Sequence, residues 1–210
     1  MNTVTKIAIN SLAALVLGAS SWAAQASTVT WNFDYNITSG SATATVASLK
    51  LEDSAGGVLF TIANDPLNLQ LLGSDTKLKY IWFKSSTSVA ASDFSAPSTY
   101  GASLDLTPNG TQGYDFSLEV KLTATNATHL GNGMSTTWFI DNHSVSDFTT
   151  LATGSSNGPA TNAMVQILNA SNTPFNSVHY VSAVPEPHTY LLMGVGLGLM
   201  GLLVRRRMNG

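Results

Sequence analysis

The stretch YDFSLEVKLTA, residues 114–124, decides the fold class of this chain. Apolar and polar side chains alternate along its whole length. Because successive side chains of a β-strand point to opposite faces, this alternation predicts a strand with one buried and one solvated face. The side chains expected to face inwards are Tyr114, Phe116, Leu118, Val120, Leu122 and Ala124, and those expected to face outwards are Asp115, Ser117, Glu119, Lys121 and Thr123.

The same period recurs on both sides of this stretch. It is clearest in TVTWNFDY, residues 28–35, and in GVLFTIAN, residues 57–64; further short apolar runs are LKYIWFK, TTWFI, AMVQIL and VHYVSAV. Residues 42–51 also alternate, but the phase slips between Val46 and Ala47, which predicts a β-bulge. Clusters of Gly, Pro, Asn and Asp separate the runs and predict turns, and residues 85–113 have the composition of a long loop with a weak strand near 104–106. No segment has a helical period.

These patterns predict an all-β domain over residues 27–182. About eight to ten short strands, each with one apolar face, favour an antiparallel β-sandwich or jelly roll. Between residues 27 and 182, five lysines stand against eleven carboxylates, a net charge of -6. A domain without a basic patch is not expected to bind nucleic acid. The chain has no cysteine, which excludes disulfides, thiolate metal sites and a cysteine nucleophile.

Residues 1–26 predict a secretory signal peptide. Lys6 and the free amino group provide a positive start, and the apolar run IAINSLAALVLGA follows. Ala24 and Ala26 are the small residues that signal peptidase requires, so we expect cleavage after Ala26 and Ser27 as the first mature residue. A permanent membrane anchor is the alternative, but polar residues interrupt this apolar run. The leader therefore predicts export by the Sec machinery.

Residues 183–210 predict a C-terminal membrane signal. Its parts, in order, are the tetrapeptide Val184, Pro185, Glu186 and Pro187, a helix at about 189–204, and a stop formed by Arg205, Arg206 and Arg207. The uncharged run 190–204 spans roughly 23 Å as a helix, and snorkelling arginines extend it towards the ~30 Å of a hydrocarbon core. Because positive residues stay inside, the passenger is expected on the periplasmic side of the inner membrane.

This order of elements resembles the sorting signals of the PEP-CTERM family. The residues that match are Pro185, Glu186, Pro187, the apolar run 190–204 and the arginines at 205–207. The resemblance implies recognition by an exosortase, a membrane protease that would cut at or near residues 185–187 and remove the helix and the arginines. It also implies a Gram-negative host that makes exopolysaccharide. An ordinary single-helix anchor behind a chance Pro-Glu-Pro is the alternative.

Two parts of the passenger resemble uncharacterised β-rich passengers that carry the same signal. They are LEDSAGGVLFTIAND, residues 51–65, and THLGNGMSTTWFIDN, residues 128–142. The matching residues in the second segment are His129, Gly131, Gly133, Ser135 and Trp138. No activity is known for the passengers that share them.

The segment IDNHSVSD, residues 140–147, is a candidate metal site. Asp141, Asn142 and Asp147 could supply oxygen ligands to Ca²⁺, as loops of sugar-binding jelly rolls do. The spacing does not match the EF-hand pattern, and a polar turn explains the same residues without a metal. No other cofactor is expected.

No catalytic residues are assigned from the sequence. The chain lacks the G-x-S-x-G motif of serine hydrolases. Glycoside hydrolysis needs two carboxylates across a cleft. Glu52 and Glu119 are the only passenger glutamates, and solvated surface positions explain both.

The sequence is therefore compatible with three functions. The first is a non-enzymatic exported protein, sorted by exosortase to the cell surface or extracellular matrix and linked to exopolysaccharide and biofilm. The second is a Ca²⁺-dependent carbohydrate-binding module. The third is a secreted glycan hydrolase. The expected partners are signal peptidase and the Sec machinery, exosortase, the inner membrane as a transient anchor, and exopolysaccharide.

Overall fold

The computed structural model describes residues 26–96, 102–122, 129–131, 133–154 and 158–183. These residues form ten β-strands and three short helices. The strands are β1 (Thr28–Asn36), β2 (Ser41–Ser54), β3 (Gly57–Asn64), β4 (Lys77–Phe83), β5 (Phe94–Ser95), β6 (Ala102–Asp105), β7 (Leu118–Leu122), β8 (Ser135–Asp141), β9 (Thr161–Leu168) and β10 (Ser177–Ala183). One α-helix, α1 (Pro66–Leu72), and two 3₁₀ helices, Ala91–Asp93 and Val145–Phe148, complete the described elements.

All ten strands belong to one antiparallel sheet in the order β5-β8-β3-β2-β1-β10-β9-β4-β7-β6. The predicted all-β antiparallel class is confirmed. The predicted sandwich of two sheets is refined to a single sheet that curls into a near-barrel. The last strand, β10, is central, because it pairs with β1 on one side and with β9 on the other.

Contacts between aromatic rings demonstrate the curl of the sheet. Phe60 on β3 and Phe83 on β4 are separated by four intervening strands, which would place them roughly 24 Å apart in a flat sheet. Their ring centroids are nevertheless 5.3 Å apart, and Phe148 lies against both rings at 5.1 and 5.9 Å. The inner face therefore closes on itself and forms the main apolar core.

A second, smaller apolar cluster lies on the outer face of the sheet. It consists of Ile37, Trp82, Tyr114, Phe116, Ala152, Met164 and Val181. Tyr114 and Phe116 precede β7, so the alternating stretch 114–124 does not keep one face as predicted. Its first two aromatics pack on the outer cluster, whereas Leu118, Val120 and Leu122 face the main core. The predicted inward Ala124 and outward Thr123 lie outside the described residues.

Irregularities in the strands decide which side chains reach the outer face. The register between β1 and β2 shifts between Phe33 and Tyr35, opposite the stretch where the sequence predicted a bulge. A second register shift lies between Leu78 and Tyr80, where two residues of β4 span a single residue step of β9. Leu78 therefore faces the main core, whereas Tyr80 and Trp82 belong to the outer face.

Helix α1 was not predicted, because no segment of the sequence has a helical period. Its N-cap is Asp65, whose carboxylate accepts hydrogen bonds from the backbone N–H groups of Leu67 and Asn68 at 3.0 and 2.9 Å. Pro66 occupies the first helical position, where its missing N–H costs nothing. A capped helix of one to two turns is too short to show a period.

The two predicted membrane-active ends are only partly covered by the structure. Two ranges lie outside the described residues. The first is residues 1–25, which include Ala24. The second is residues 184–210, which include the tetrapeptide, the predicted helix and the arginines. Within the described ranges, none of the helices has the length and apolarity needed to span a membrane.

Candidate functional site

Strand register brings polar side chains from five strands into one row on the outer face. His179 pairs with Gln166, Gln166 with Tyr80, Tyr80 with Lys121, and Lys121 with Ser103. Residues directly opposite each other on neighbouring strands share a face and lie within side-chain reach. We call this row the polar row.

A second row runs beside the polar row, displaced from it by two residues on each of the strands β9, β4, β7 and β6. In it Trp82 pairs with Met164 on β9 and with Glu119 on β7, and Glu119 pairs with Asp105 on β6. We call this the tryptophan row. It places two carboxylates directly opposite each other, an arrangement that needs compensating donors because like charges repel.

The connection between β6 and β7 folds over the tryptophan row, and this connection and Trp82 of β4 provide those donors. The indole Nε1 of Trp82 donates to Glu119 Oε2 and to the Asn109 carbonyl oxygen, both at 2.9 Å. The Asn109 N–H donates to the same Glu119 oxygen at 3.1 Å. Asp105 accepts hydrogen bonds from the backbone N–H and the hydroxyl of Thr107 at 2.8 and 2.9 Å. Gly110, with φ +69°, completes the tight turn beside the indole ring.

The polar row and this connection enclose a cleft of about 400 Å³. Its lining residues are Tyr80, Trp82, Asp105, Asn109, Gly110, Gln112, Glu119, Lys121, Gln166 and His179. The volume lies within the range of sites for small ligands. Trp82 contributes little accessible surface because it is only 2% exposed. The ligand-facing chemistry therefore comes mainly from the polar row.

The ionisable groups of the cleft carry mixed charge. Burial lowers the pKa of His179 to about 4, so this imidazole is neutral at physiological pH. The backbone and side-chain hydrogen bonds from Thr107 lower the pKa of Asp105, which keeps its carboxylate ionised. The ammonium of Lys121 lies 6.0 Å from the centroid of the Tyr80 ring, and that of Lys79 lies 4.7 Å from it.

Glu119 differs from its sequence-based assignment. The alternation placed it on a solvated face, but it is 8% exposed and held by Trp82 and Asn109. Glu52, the other candidate carboxylate, is half-buried and forms an ion pair with Lys50 at 2.7 Å. Five strand-to-strand steps separate β2 from β7 in the sheet. Glu119 therefore shares the cleft with Asp105 rather than with Glu52.

The predicted metal loop follows β8. Asp141 ends that strand, and Asn142 adopts a left-handed conformation with φ 61° while its N–H donates to the Gly56 carbonyl at 2.7 Å. Asp147 Oδ2 accepts hydrogen bonds from the Ser144 N–H and hydroxyl at 2.9 and 3.1 Å. This carboxylate thus caps the following 3₁₀ helix. Whether the loop binds Ca²⁺ stays a prediction.

His143 links the same loop to another part of the barrel. Its Nδ1 lies 3.6 Å from Asp147 Oδ2, and its Nε2 lies 3.9 Å from Asp93 Oδ2. The hydroxyl of Thr87 contacts Nδ1 at 3.2 Å, and the ring packs on Phe148. The part of the chain that the structure describes contains no group of three or more His, Cys, Asp or Glu side chains arranged to hold a metal ion.

The segments that resemble other passengers meet at the turn before β8. The Asn64 amide donates to the Gly131 carbonyl, and its Oδ1 accepts from the Gly133 N–H at 2.6 Å. The ring of His129 is buried and Nδ1 contacts the Leu122 carbonyl at 2.7 Å. Ser135 begins β8, and Trp138 stacks on Phe60 at 5.3 Å in the main core. These residues have structural contacts and line no part of the cleft.

The chain thus joins a β-rich passenger to a C-terminal sorting signal. Residues 183–207 match the PEP-CTERM protein-sorting motif. The chain therefore carries this signal, which indicates export and membrane-associated sorting by exosortase to the cell surface. No curated protein and no solved structure was found to be significantly similar to the chain.

Proposed function

We propose that this chain is a non-enzymatic surface or matrix protein that exosortase releases from its membrane signal and that associates with exopolysaccharide in a biofilm. The observation that carries the proposal is the sorting motif at residues 183–207, which begins where the last strand of the passenger ends. The leader, residues 1–26, would be removed by signal peptidase after Sec export.

The position of β10 supports removal of the tail without damage to the fold. Ala183, the last residue of β10, pairs with Thr161 of β9. Pro185 follows only two residues later. A cut at residues 185–187 therefore falls after the last described strand in the sequence and keeps all ten described strands in the released chain. The removed part would contain the helix at about 189–204 and the arginines at 205–207.

The chemistry of the cleft carboxylates favours binding over hydrolysis. Glycosidases of the two-carboxylate type need one protonated carboxyl group, which donates its proton to the glycosidic oxygen of the leaving group. Asp105 is unsuited to this role because its pKa is lowered. Glu119 Oε2 already accepts two N–H donors, so this oxygen is not free to protonate a leaving group.

Sorting is tested by replacing residues 185–187 with alanine in the native host. We expect the wild-type passenger at the cell surface or in the medium, and the variant retained in the inner membrane. Pro174→Ala is the matched control, because Pro174 is exposed in the loop before β10 and outside the motif. Unchanged release of the triple variant would refute exosortase sorting through this motif.

The non-enzymatic part of the proposal is tested separately. The purified full chain is incubated with the host's exopolysaccharide, and newly formed reducing ends are measured. We expect no release above a buffer blank. Release that Glu119→Gln abolishes would instead identify a hydrolase.

A further inference from the structure

We propose that the outer-face cleft binds a neutral hexose unit of a polysaccharide, and that it does so without calcium. The proposal takes its ligand class from the association with exopolysaccharide, but binding itself needs only the folded passenger. The site differs from the loop at residues 141–147 that the sequence suggested for sugar binding.

The polar row has the functional groups that sugar hydroxyls require. A hydroxyl both donates and accepts, so a site for it combines donors with acceptors. Lys121 offers N–H donors, Asp105 offers carboxylate oxygens, and the neutral imidazole of His179 offers one donor and one acceptor. None of the described residues hydrogen-bonds the ring nitrogens of His179. The ring of Tyr80 adds an apolar surface at the centre of the row.

Several of these groups are already fixed in place. Gln166 Nε2 donates to the Ser177 hydroxyl at 2.8 Å, which orients the side-chain amide. Thr107 fixes Asp105, and Trp82 ties the cleft wall to β7 through Glu119. A site whose side chains are already ordered loses less conformational entropy when a ligand binds.

The charge balance favours a neutral sugar over an acidic one. Asp105 and Glu119 line the cleft against one lining lysine, Lys121. The whole passenger, residues 27–182, carries a net charge of -6, which includes these three residues. A uronic acid unit would therefore meet repulsion, whereas a neutral hexose would not.

Calcium independence follows from the same residues. Sites for Ca²⁺ need six to eight oxygen ligands, usually with several carboxylates. The cleft lining contains two carboxylates, and one oxygen of Glu119 is occupied by the Trp82 and Asn109 donors.

Titration calorimetry on the full chain tests the proposal. The protein is kept in a detergent without a sugar headgroup, and EDTA is present. The probes are linear hexamers of glucose, galactose and mannose, with hexagalacturonate as the acidic comparison. We expect saturable binding of at least one neutral hexamer.

Two cleft variants and two matched controls locate the binding site. Gln166→Ala and Lys121→Met each remove ligand-facing groups, and we expect each to weaken binding about 5- to 10-fold, the effect of one lost hydrogen bond. Gln70→Ala on α1 and Lys50→Met on β2 make the same chemical changes elsewhere on the surface, and we expect them to leave binding unchanged.

The proposal would be overturned if no hexamer binds or if only hexagalacturonate binds. It would also be overturned if binding requires Ca²⁺ and is lost in Asp141→Asn. A third contrary result is that the control variants weaken binding as much as the cleft variants. Failure of sorting is distinguishable from these results. A protein that keeps its tail in the host but binds a neutral hexamer would refute exosortase sorting and leave the cleft assignment intact.

Discussion

The indole nitrogen of Trp82 lies 2.9 Å from Oε2 of Glu119, its direct partner across β4 and β7. This bond satisfies a carboxylate that is 8% exposed. It also fixes the connection between β6 and β7, because the same indole N–H contacts the Asn109 carbonyl. One side chain thus joins the outer apolar cluster to the wall of the cleft.

Trp82→Phe is expected to destabilise the protein by removing this donor. The buried Glu119 carboxylate would keep the Asn109 N–H as a donor but lose the indole, and a loss of this kind costs about 1–3 kcal/mol. Trp138→Phe is the matched control, because Trp138 is equally buried but its Nε1 has no hydrogen-bond partner among the residues that the structure describes. We expect the free energy of unfolding in urea to fall by about 1–2 kcal/mol more for Trp82→Phe than for Trp138→Phe. Equal losses would mean that the Trp82 bond contributes little.

His179 is expected to make stability depend on pH. Its folded pKa is about 4, below the ordinary 6.5, because burial disfavours the charged ring. The unfolded chain binds the proton more readily between these values, so stability is greatest above pH 6.5 and decreases as the pH falls to about 4. The loss is at most about 3 kcal/mol, reduced by the partial exposure of the ring. His179→Gln should remove this loss of stability. If the free energies of unfolding of wild type and variant instead differ by the same amount from pH 7 to pH 4, His179 is not the cause.

The predicted mature amino terminus lies beside a carboxylate. The Ser27 nitrogen is 3.1 Å from Asp53 Oδ2. After cleavage behind Ala26 this nitrogen would be an ammonium group, and we expect an ion pair worth up to about 1 kcal/mol. Acetylation of the amino terminus should therefore lower the free energy of unfolding at low salt, and the loss should shrink at high salt. No effect of acetylation at low salt would argue against this ion pair.

Calcium is expected to leave the melting temperature unchanged within about 1 °C. Asp147 already accepts two hydrogen bonds from Ser144 and caps a 3₁₀ helix, so binding a metal would compete with the cap. The measurement compares millimolar CaCl₂ with EDTA. A rise of several degrees that Asp141→Asn abolishes would establish the metal loop predicted from the sequence.

The strand pattern allowed the fold class to be predicted, because side-chain alternation is local. The closure of the sheet was not predictable in the same way. The contact between Phe60 and Phe83 depends on how four intervening strands twist, and no local pattern encodes that. The helix at residues 66–72 did leave a local signal. Asp65 followed by Pro66 is typical of a helix start as well as of a turn, so the dipeptide alone does not distinguish the two.

The cleft could not be located from the sequence, because its residues come together only through the pairing register of neighbouring strands. His179, Gln166, Tyr80 and Lys121 come from four strands, and each appears in isolation as one polar or aromatic residue in an apolar run. Glu119 was assigned to solvent because alternation distinguishes the two faces of a strand, but does not reveal that a later loop covers one of them. The sorting motif was predictable, since its parts are contiguous in the chain.

The intact mass of the protein recovered from its host's surface and medium shows whether signal peptidase and exosortase have removed the two ends of the chain. Removal of both ends would give a chain that begins at Ser27 and ends between Val184 and Pro187, with or without an added group at its new carboxyl end. A mass that extends to Gly210 would contradict it, because the passenger would then remain tethered to the inner membrane by an ordinary anchor.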